Sequence, residues 1–127
     1  MKNYKILIAD DDHDFVTVLQ TRLESRGFDV VCAHEGIRAI DLAHKEKPDL
    51  ILLDWKMPAG GGEPILKYLS EKGDTRGIPV IVITGMSESS IEATAIGLGA
   101  KAVIRKPYDP VSLIEAISKA LQGSAVR

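Results

Sequence analysis

Cysteine is almost absent from the 127-residue sequence: Cys32 is the only one, so no internal disulfide can form. This lone cysteine lies in an apolar stretch and is expected to be a small, buried core residue. No segment approaches the roughly 18–20 consecutive apolar residues of a membrane-spanning helix, and the first residues lack the apolar stretch of a signal peptide. These absences favour a cytoplasmic protein without a membrane partner.

An excess of charge of one sign is also absent. The 16 basic and 18 acidic residues give a formal net charge of −2 at pH 7, so there is no electrostatic reason to expect direct binding to nucleic acid. The length suits a single domain. We assign residues 1–122 to this domain and residues 123–127 to a tail or the start of a linker.

Five short apolar segments alternate with five helical patterns along the chain. The segments predict buried strands, and the alternation predicts an α/β fold in which helices cover both faces of a parallel sheet. Right-handed crossovers favour a flavodoxin-like (βα)5 three-layer sandwich with the strand order 2-1-3-4-5. The predicted strands are 6–9, 28–33, 51–54, 78–83 and 102–104.

The spacing of apolar residues also predicts which face of each helix is buried. Asp14 is expected to cap the first helix, and Asp109 followed by Pro110 is expected to start the last. The predicted buried residues are Val16, Leu19 and Leu23 in the first helix, Ile37, Ile40 and Ala43 in the second, Ile65, Leu66 and Leu69 in the third, and Val111, Ile114, Ile117 and Leu121 in the fifth.

Chemically active side chains stand at the ends of four predicted strands. Asp10 and Asp11 end the first strand, Asp54 ends the third, Thr84 ends the fourth and Lys106 follows the fifth. In a parallel sheet all these ends lie at one edge, where open α/β folds bind ligands. Three carboxylates at close range raise one another's pKa unless a cation neutralises them. An oxygen-rich group of this kind suits Mg²⁺.

This arrangement is suited to phosphoryl chemistry. A metal-bound Asp54 can act as a nucleophile towards a phosphoryl group and form an acyl phosphate, while the metal offsets charge on the phosphoryl oxygens. Lys106 supplies a positive charge and Thr84 a hydroxyl donor for the remaining oxygens. Each residue alone is a weak signal, and the combination at four strand ends is specific.

Nearly the whole chain carries motifs that resemble those of one family. They are Ile8-Ala9-Asp10-Asp11, Asp54 with Met57-Pro58 and Gly62 behind it, Thr84-Gly85, and Lys106-Pro107. The set resembles the receiver domain of two-component response regulators, in the single-domain form of the chemotaxis-type regulators. The resemblance implies a (βα)5 fold and phosphorylation of Asp54 by a histidine kinase or a histidine phosphotransfer protein, followed by a conformational switch or relay of the phosphate.

The resemblance also implies further roles and partners. Such a domain assists its own phosphorylation and dephosphorylation but is not otherwise an enzyme, and it acts on a downstream protein or forms a homodimer. Val103 departs from the family, which often has an aromatic residue there, so we expect no swinging ring on the fifth strand. By resemblance, Mg²⁺ (or Mn²⁺) contacts Asp11, Asp54 and the backbone carbonyl of Lys56, and contacts Asp10 mostly through water. The resemblance also implies that the phosphoryl group contacts Thr84 and Lys106, and that a cis bond precedes Pro107.

The first helix is the expected docking surface for the phosphoryl donor. Phe15 and Val18 are left facing outwards once the core stripe is assigned, with Arg22 on the same strip, and exposed apolar residues beside an active site are candidates for interaction. Pro107 completes this surface. The alternative is that Phe15 only covers the loop after the fifth strand.

Residues beside the aspartates have simpler interpretations. Asp12 is expected to belong to the start of the first helix, because acidic residues favour helix N-termini. His13 is next to the acids, but a hard Mg²⁺ site prefers oxygen ligands. We expect His34 and His44 to face solvent and Trp55 to pack at the rim of the site.

Other classes of protein share this architecture and fit the sequence less well. Phosphatases of the haloacid dehalogenase type need a second aspartate where this chain has Lys56, and cobalamin-binding domains need a glycine where it has Val16. An FMN-binding flavodoxin needs a loop rich in serine, threonine and glycine after the first strand, where this chain has acids. A receiver that acts only as a phosphorylation-independent interaction module remains the alternative.

Overall fold

A computed structural model describes residues 3–57, 61–85 and 89–125. Five parallel strands form one sheet in the order β2-β1-β3-β4-β5, which confirms the predicted flavodoxin-like topology. The strands are β1 (Lys5–Ala9), β2 (Asp29–Ala33), β3 (Leu50–Asp54), β4 (Val80–Thr84) and β5 (Ala102–Arg105). The helices are α1 (His13–Ser25), α2 (Gly36–Glu46), α3 (Gly62–Glu71), α4 (Ser89–Gly97) and α5 (Pro110–Ala125). Among the described residues, no helix is both long and apolar enough to cross a membrane.

Two apolar clusters fill the spaces above and below the sheet. Strands β3 and β4 are buried at every residue, and successive side chains of a strand point to opposite faces. Leu7 therefore joins the cluster that includes residues of α2 and α3, whereas Ile6 and Ile8 join the cluster that includes residues of α1 and α5. The sheet is thus the middle layer of three and holds its strand ends rigidly.

The buried face was predicted correctly for α1 and α3 but incorrectly for parts of α2 and α5. In α2, Ala43 is buried as predicted, but Ile37 is 62% exposed, and Ala39 and Leu42 are buried as well. In α5, Val111 is 61% exposed. The apolar residues of each helix form more than one stripe, and the stripe that fits the sheet is the one that becomes buried. In α5 the buried stripe is Leu113, Ile117 and Leu121.

At the helix ends and at the lone cysteine, the structure differs in part from the predictions. Asp12, not Asp14, caps α1, because its side chain accepts a hydrogen bond of 3.0 Å from the backbone N–H of Phe15. Helix α5 begins at Pro110 as predicted and continues to Ala125, so it extends into the segment assigned to a tail or linker. Cys32 is only half-buried, and its burial raises the pKa of the thiol.

Gly62, the first residue of α3, packs directly against the end of β3. A Cβ atom at this position would lie 2.6 Å from Trp55 Cα and 2.8 Å from the carbonyl oxygens of both Asp54 and Trp55. These neighbours are backbone atoms, so they cannot move aside without displacing the strand end. The absence of a side chain at Gly62 therefore permits the close approach of α3 to Asp54.

We expect Gly62→Ala to destabilise the protein by about 1–3 kcal/mol, the range for an extra methyl group forced into a packed site. Gly73→Ala is the matched control, because a Cβ there would meet nothing within 4 Å. Urea unfolding of both variants measures the change. Equal stability of the two variants would contradict the steric argument.

Candidate functional site

The sheet register brings the predicted site residues to one edge. Ala9 pairs with Leu53 across β1 and β3, so Asp10 and Asp54 are the next residues at the ends of adjacent strands. Asp54 and Thr84 end β3 and β4 and are both buried, and Asp10 is buried as well. The prediction that these strand ends converge is therefore confirmed by the fold.

Three carboxylates meet at this edge. Three carboxylate oxygens, one from each of Asp10, Asp11 and Asp54, lie within 4.8 Å of one another. Asp11 is exposed, whereas the other two are buried, so the cluster is open to solvent on the side of Asp11. Oxygen donors at this spacing fit a hard cation such as Mg²⁺, which keeps several water ligands and needs only a few carboxylates.

Lys106 lies against the carboxylates. Its Nζ is 2.8 Å from Asp10 Oδ2 and 3.8 Å from Asp54 Oδ2. The peptide bond between Lys106 and Pro107 is cis, as the resemblance implied, and the backbone N–H of Lys106 donates a hydrogen bond of 2.8 Å to the Thr84 carbonyl. The loop after β5 thus places a positive charge between the two buried aspartates.

Phe15 supports Lys106, a contact that the sequence interpretation missed. Lys106 Nζ lies 4.2 Å from the centroid of the Phe15 ring, within the range of a cation–π interaction. The same ring packs edge-to-face on Tyr108, with centroids 5.7 Å apart. Phe15 is therefore half-buried over the loop after β5, as the alternative interpretation proposed, while Val18 and Arg22 are exposed.

The environment of Asp54 raises the pKa of its carboxyl group above the ordinary value when no cation is bound. Burial is the largest cause that raises the pKa of Asp54, to about 6 from an ordinary 3.8, and the charges of Asp10 and Asp11 add to the increase. Lys106 and the backbone N–H of Lys56, which donates to Asp54 Oδ1 at 3.3 Å, lower the pKa but do not compensate. A divalent cation in the cluster would offset this repulsion.

Two histidines expected to face solvent are instead partly buried and hydrogen-bonded. His34 Nδ1 is 3.1 Å from the backbone carbonyl oxygen of Asp10, a contact that its position directly after β2 could have indicated. His44 Nδ1 is 2.6 Å from Asp74 Oδ2 and its Nε2 is 3.0 Å from the Tyr68 hydroxyl. These partners come from other elements, so no local pattern predicts them.

Comparison with known proteins identifies the family of this chain. A family model of the response regulator receiver domain matches residues 6–118, and the chain therefore belongs to the response regulator receiver family. Its fold is similar to that of the response regulator receiver domain protein (CheY-like) from Methanospirillum hungatei JF-1, with a TM-score of 0.91, 27% sequence identity and 98% coverage of both chains.

Curated relatives are longer proteins. The chain is 34% identical over 124 residues to the alkaline phosphatase synthesis transcriptional regulatory protein PhoP of Bacillus subtilis (strain 168), covering 98% of this chain and 51% of that protein. It is 32% identical over 118 residues to the phosphate regulon transcriptional regulatory protein PhoB of Escherichia coli (strain K12), covering 93% and 52%. The chain thus spans about half the length of the curated relatives it matches.

We expect Asp54→Asn to stabilise the cation-free protein at pH 7.5 by about 1–3 kcal/mol, because each unit of pKa shift corresponds to about 1.4 kcal/mol. The folded-state pKa of Asp54 is raised, so the stability that its bound proton contributes is present near pH 4 and is lost as the pH rises through about 6. The advantage of Asp54→Asn should therefore shrink towards pH 4.

Chemical unfolding in EDTA across this pH range measures the difference. The exposed Asp41→Asn is the matched control and should change stability little at any pH. Saturating Mg²⁺ should narrow the gap, because a ligand that binds the folded wild type stabilises it. An Asp54→Asn variant no more stable than wild type in EDTA at pH 7.5 would refute the inference that ionised Asp54 destabilises the cation-free protein.

Proposed function

We propose that this receiver domain accepts a phosphoryl group on Asp54 from a histidine kinase or a histidine phosphotransfer protein, in a reaction that requires Mg²⁺ (or Mn²⁺). The observation that carries the proposal is a buried carboxylate at a strand end, clustered with two further carboxylates and one lysine. This combination supplies a nucleophile, a set of cation ligands and a positive charge within one small site.

In the proposed reaction, an oxygen of Asp54 attacks phosphorus and the bond between phosphorus and the donor's imidazole nitrogen breaks. The donor imidazole leaves and an acyl phosphate forms. Asp10, Asp11, Asp54 and the backbone carbonyl of Lys56 would hold the cation. When bound, this ion offsets negative charge on the carboxylates and on the phosphoryl oxygens.

Two side chains complete the proposed phosphoryl site. Lys106 already carries its charge to within 3.8 Å of Asp54 Oδ2, so little rearrangement is needed for it to pair with a phosphoryl oxygen. The Thr84 hydroxyl, at the end of the next strand, is the proposed donor to another oxygen. The backbone N–H of Lys56 holds Asp54 Oδ1 and thereby orients the nucleophile.

The output proposed for this chain does not use a ring on β5. Val103 is partly buried against the cluster on the α2 and α3 side, and its short, β-branched side chain has one stiff torsion. We therefore assign the switch to the segment that follows Thr84 and to α4, or to relay of the phosphoryl group. A downstream protein or a second copy of the chain would read this state.

Incubation with acetyl phosphate or phosphoramidate and Mg²⁺ should add one phosphoryl group to Asp54, detected by intact mass and mapped by peptide analysis. The reason is that the cation removes the repulsion that an incoming phosphoryl donor meets. Asp54→Asn and EDTA-treated wild type should give almost no adduct, whereas Asp41→Asn should react like wild type. A full yield in Asp54→Asn or in EDTA would sink the proposal, and an unreactive wild type would favour the phosphorylation-independent module.

We propose that the phosphoryl donor docks on α1 and on the adjacent loop after β5. Val18 is 57% exposed, Arg22 and Pro107 are exposed as well, and α1 begins beside the aspartate cluster. Apolar residues next to a charged group favour protein contacts. Phe15 supports this surface from the protein side, because its ring contacts Lys106 and Tyr108.

Val18→Asp should slow phosphotransfer from a histidine kinase by about tenfold or more, the equivalent of about 1.4 kcal/mol, because a contact is lost and a charge is introduced. Phosphorylation by acetyl phosphate should stay unchanged. The matched control for both assays is Ile37→Asp, because Ile37 is an apolar residue on α2 with an exposure similar to that of Val18.

Phe15→Ala should behave differently from Val18→Asp, because it also removes the ring beneath Lys106. We expect it to slow both the kinase reaction and the acetyl phosphate reaction. Similar slowing of kinase transfer in Val18→Asp and Ile37→Asp would argue against docking on α1.

A further inference from the structure

Two histidines form a stacked pair beside the aspartate cluster, and the proposed phosphoryl chemistry does not use them. His13 is the first residue of α1, and His34 follows β2. Their ring centroids are 3.8 Å apart and their planes differ by 22°. We propose that this pair binds a borderline divalent cation, of the class of Zn²⁺, Ni²⁺ and Cu²⁺, at a site separate from the carboxylate site for Mg²⁺.

The hydrogen bond of His34 prepares its ring for metal binding. Its Nδ1 lies 3.1 Å from the backbone carbonyl oxygen of Asp10, and a carbonyl oxygen can only accept, so Nδ1 carries the hydrogen. In the neutral ring, Nε2 therefore has the free lone pair. Metal-binding histidines nearly always donate their other N–H to a carbonyl or carboxylate in this way, which fixes the tautomer and the ring orientation.

His13 can supply the second nitrogen. Two nitrogen ligands of one tetrahedral ion, each about 2.0–2.1 Å from it, lie about 3.3 Å apart. The two rings are close, with centroids 3.8 Å apart, but they are stacked, so His13 must turn out of the stack before its nitrogen and His34 Nε2 can face the same ion. His13 is exposed at the start of α1, so its ring can rotate to direct a nitrogen towards the ion without disturbing the core.

The acidic residues around the two histidines attract cations, and the imidazole nitrogens favour some cations over others. The histidines adjoin the acidic run Asp10–Asp11–Asp12, and Asp11 and Asp12 are exposed. Imidazole nitrogen favours borderline ions such as Zn²⁺, Ni²⁺ and Cu²⁺, whereas Mg²⁺ prefers oxygen. Water would complete the coordination. The chain thus places a site with histidine nitrogen donors next to a site with carboxylate oxygen donors, and the two sites favour different cations.

Asp10 connects the two sites. Its carbonyl oxygen accepts from His34, while its carboxylate contacts Lys106 and joins the cluster with Asp54. An ion on the histidine pair would therefore adjoin the backbone of Asp10 without taking any carboxylate of the oxygen site. The proposal does not depend on phosphorylation of Asp54.

Isothermal titration with ZnCl₂, in excess MgCl₂ at pH 7.5, tests the site on the full chain. We expect one Zn²⁺ ion to bind wild type, and His13→Gln and His34→Gln each to weaken that binding by about tenfold or more. His44→Gln is the matched control, because His44 is bonded to Asp74 and Tyr68 elsewhere, and it should bind like wild type. Asp54→Asn should also retain the affinity.

A second measurement on wild type guards against a folding defect in the variants. Zn²⁺ should perturb the imidazole NMR signals of His13 and His34 and leave those of His44 unchanged. Loss of binding in Asp54→Asn, or displacement of Zn²⁺ by Mg²⁺, would place the ion among the carboxylates and overturn the proposal. Unchanged affinity in both His13→Gln and His34→Gln, or silent signals from these rings, would overturn it as well.

Discussion

Burial of the Asp54 carboxylate beside that of Asp10 is the constraint on which the rest of the site depends. Both side chains lie at the ends of adjacent strands, and burial together with the neighbouring charges raises the pKa of Asp54. The apolar layers on both faces of the sheet hold these strands rigidly. The fold thus keeps two like charges close together, and a bound cation or a proton would stabilise this arrangement.

Lys106 gives partial relief and also connects the site to the surface. It contacts Asp10 and approaches Asp54 from the loop after β5, while the ring of Phe15 supports it from α1. Because Phe15 lies on the helix proposed to dock the phosphoryl donor, one side chain connects the proposed docking surface with the lysine of the carboxylate cluster. A partner that binds α1 would therefore affect the position of Lys106.

Asp10 has a second role that depends on its backbone. Its carbonyl orients His34, and His34 stacks on His13, so the acidic cluster has a nitrogen-rich neighbour. The two groups of donors differ in the ions that they favour. The Mg²⁺-dependent chemistry proposed for Asp54 and the binding of a transition-metal ion are therefore separable by experiment.

The sequence by itself determined the fold class, the strand order and the residues that meet at the edge of the sheet. Continuous apolar runs identify buried strands, and in a parallel sheet the residues that end those strands must share one edge. Asp54, Thr84 and Lys106 could thus be brought together without coordinates, and the family motifs supplied their expected roles.

Only the tertiary structure decided which stripe of each helix is buried and which distant side chains meet. Ile37 and Val111 are exposed because other stripes of α2 and α5 fit the sheet better. Phe15 contacts Lys106, and His34 contacts Asp10, across many residues of sequence. Periodicity reports the local backbone conformation, whereas helix rotation and long-range contacts depend on steric fit between elements, which no local pattern encodes.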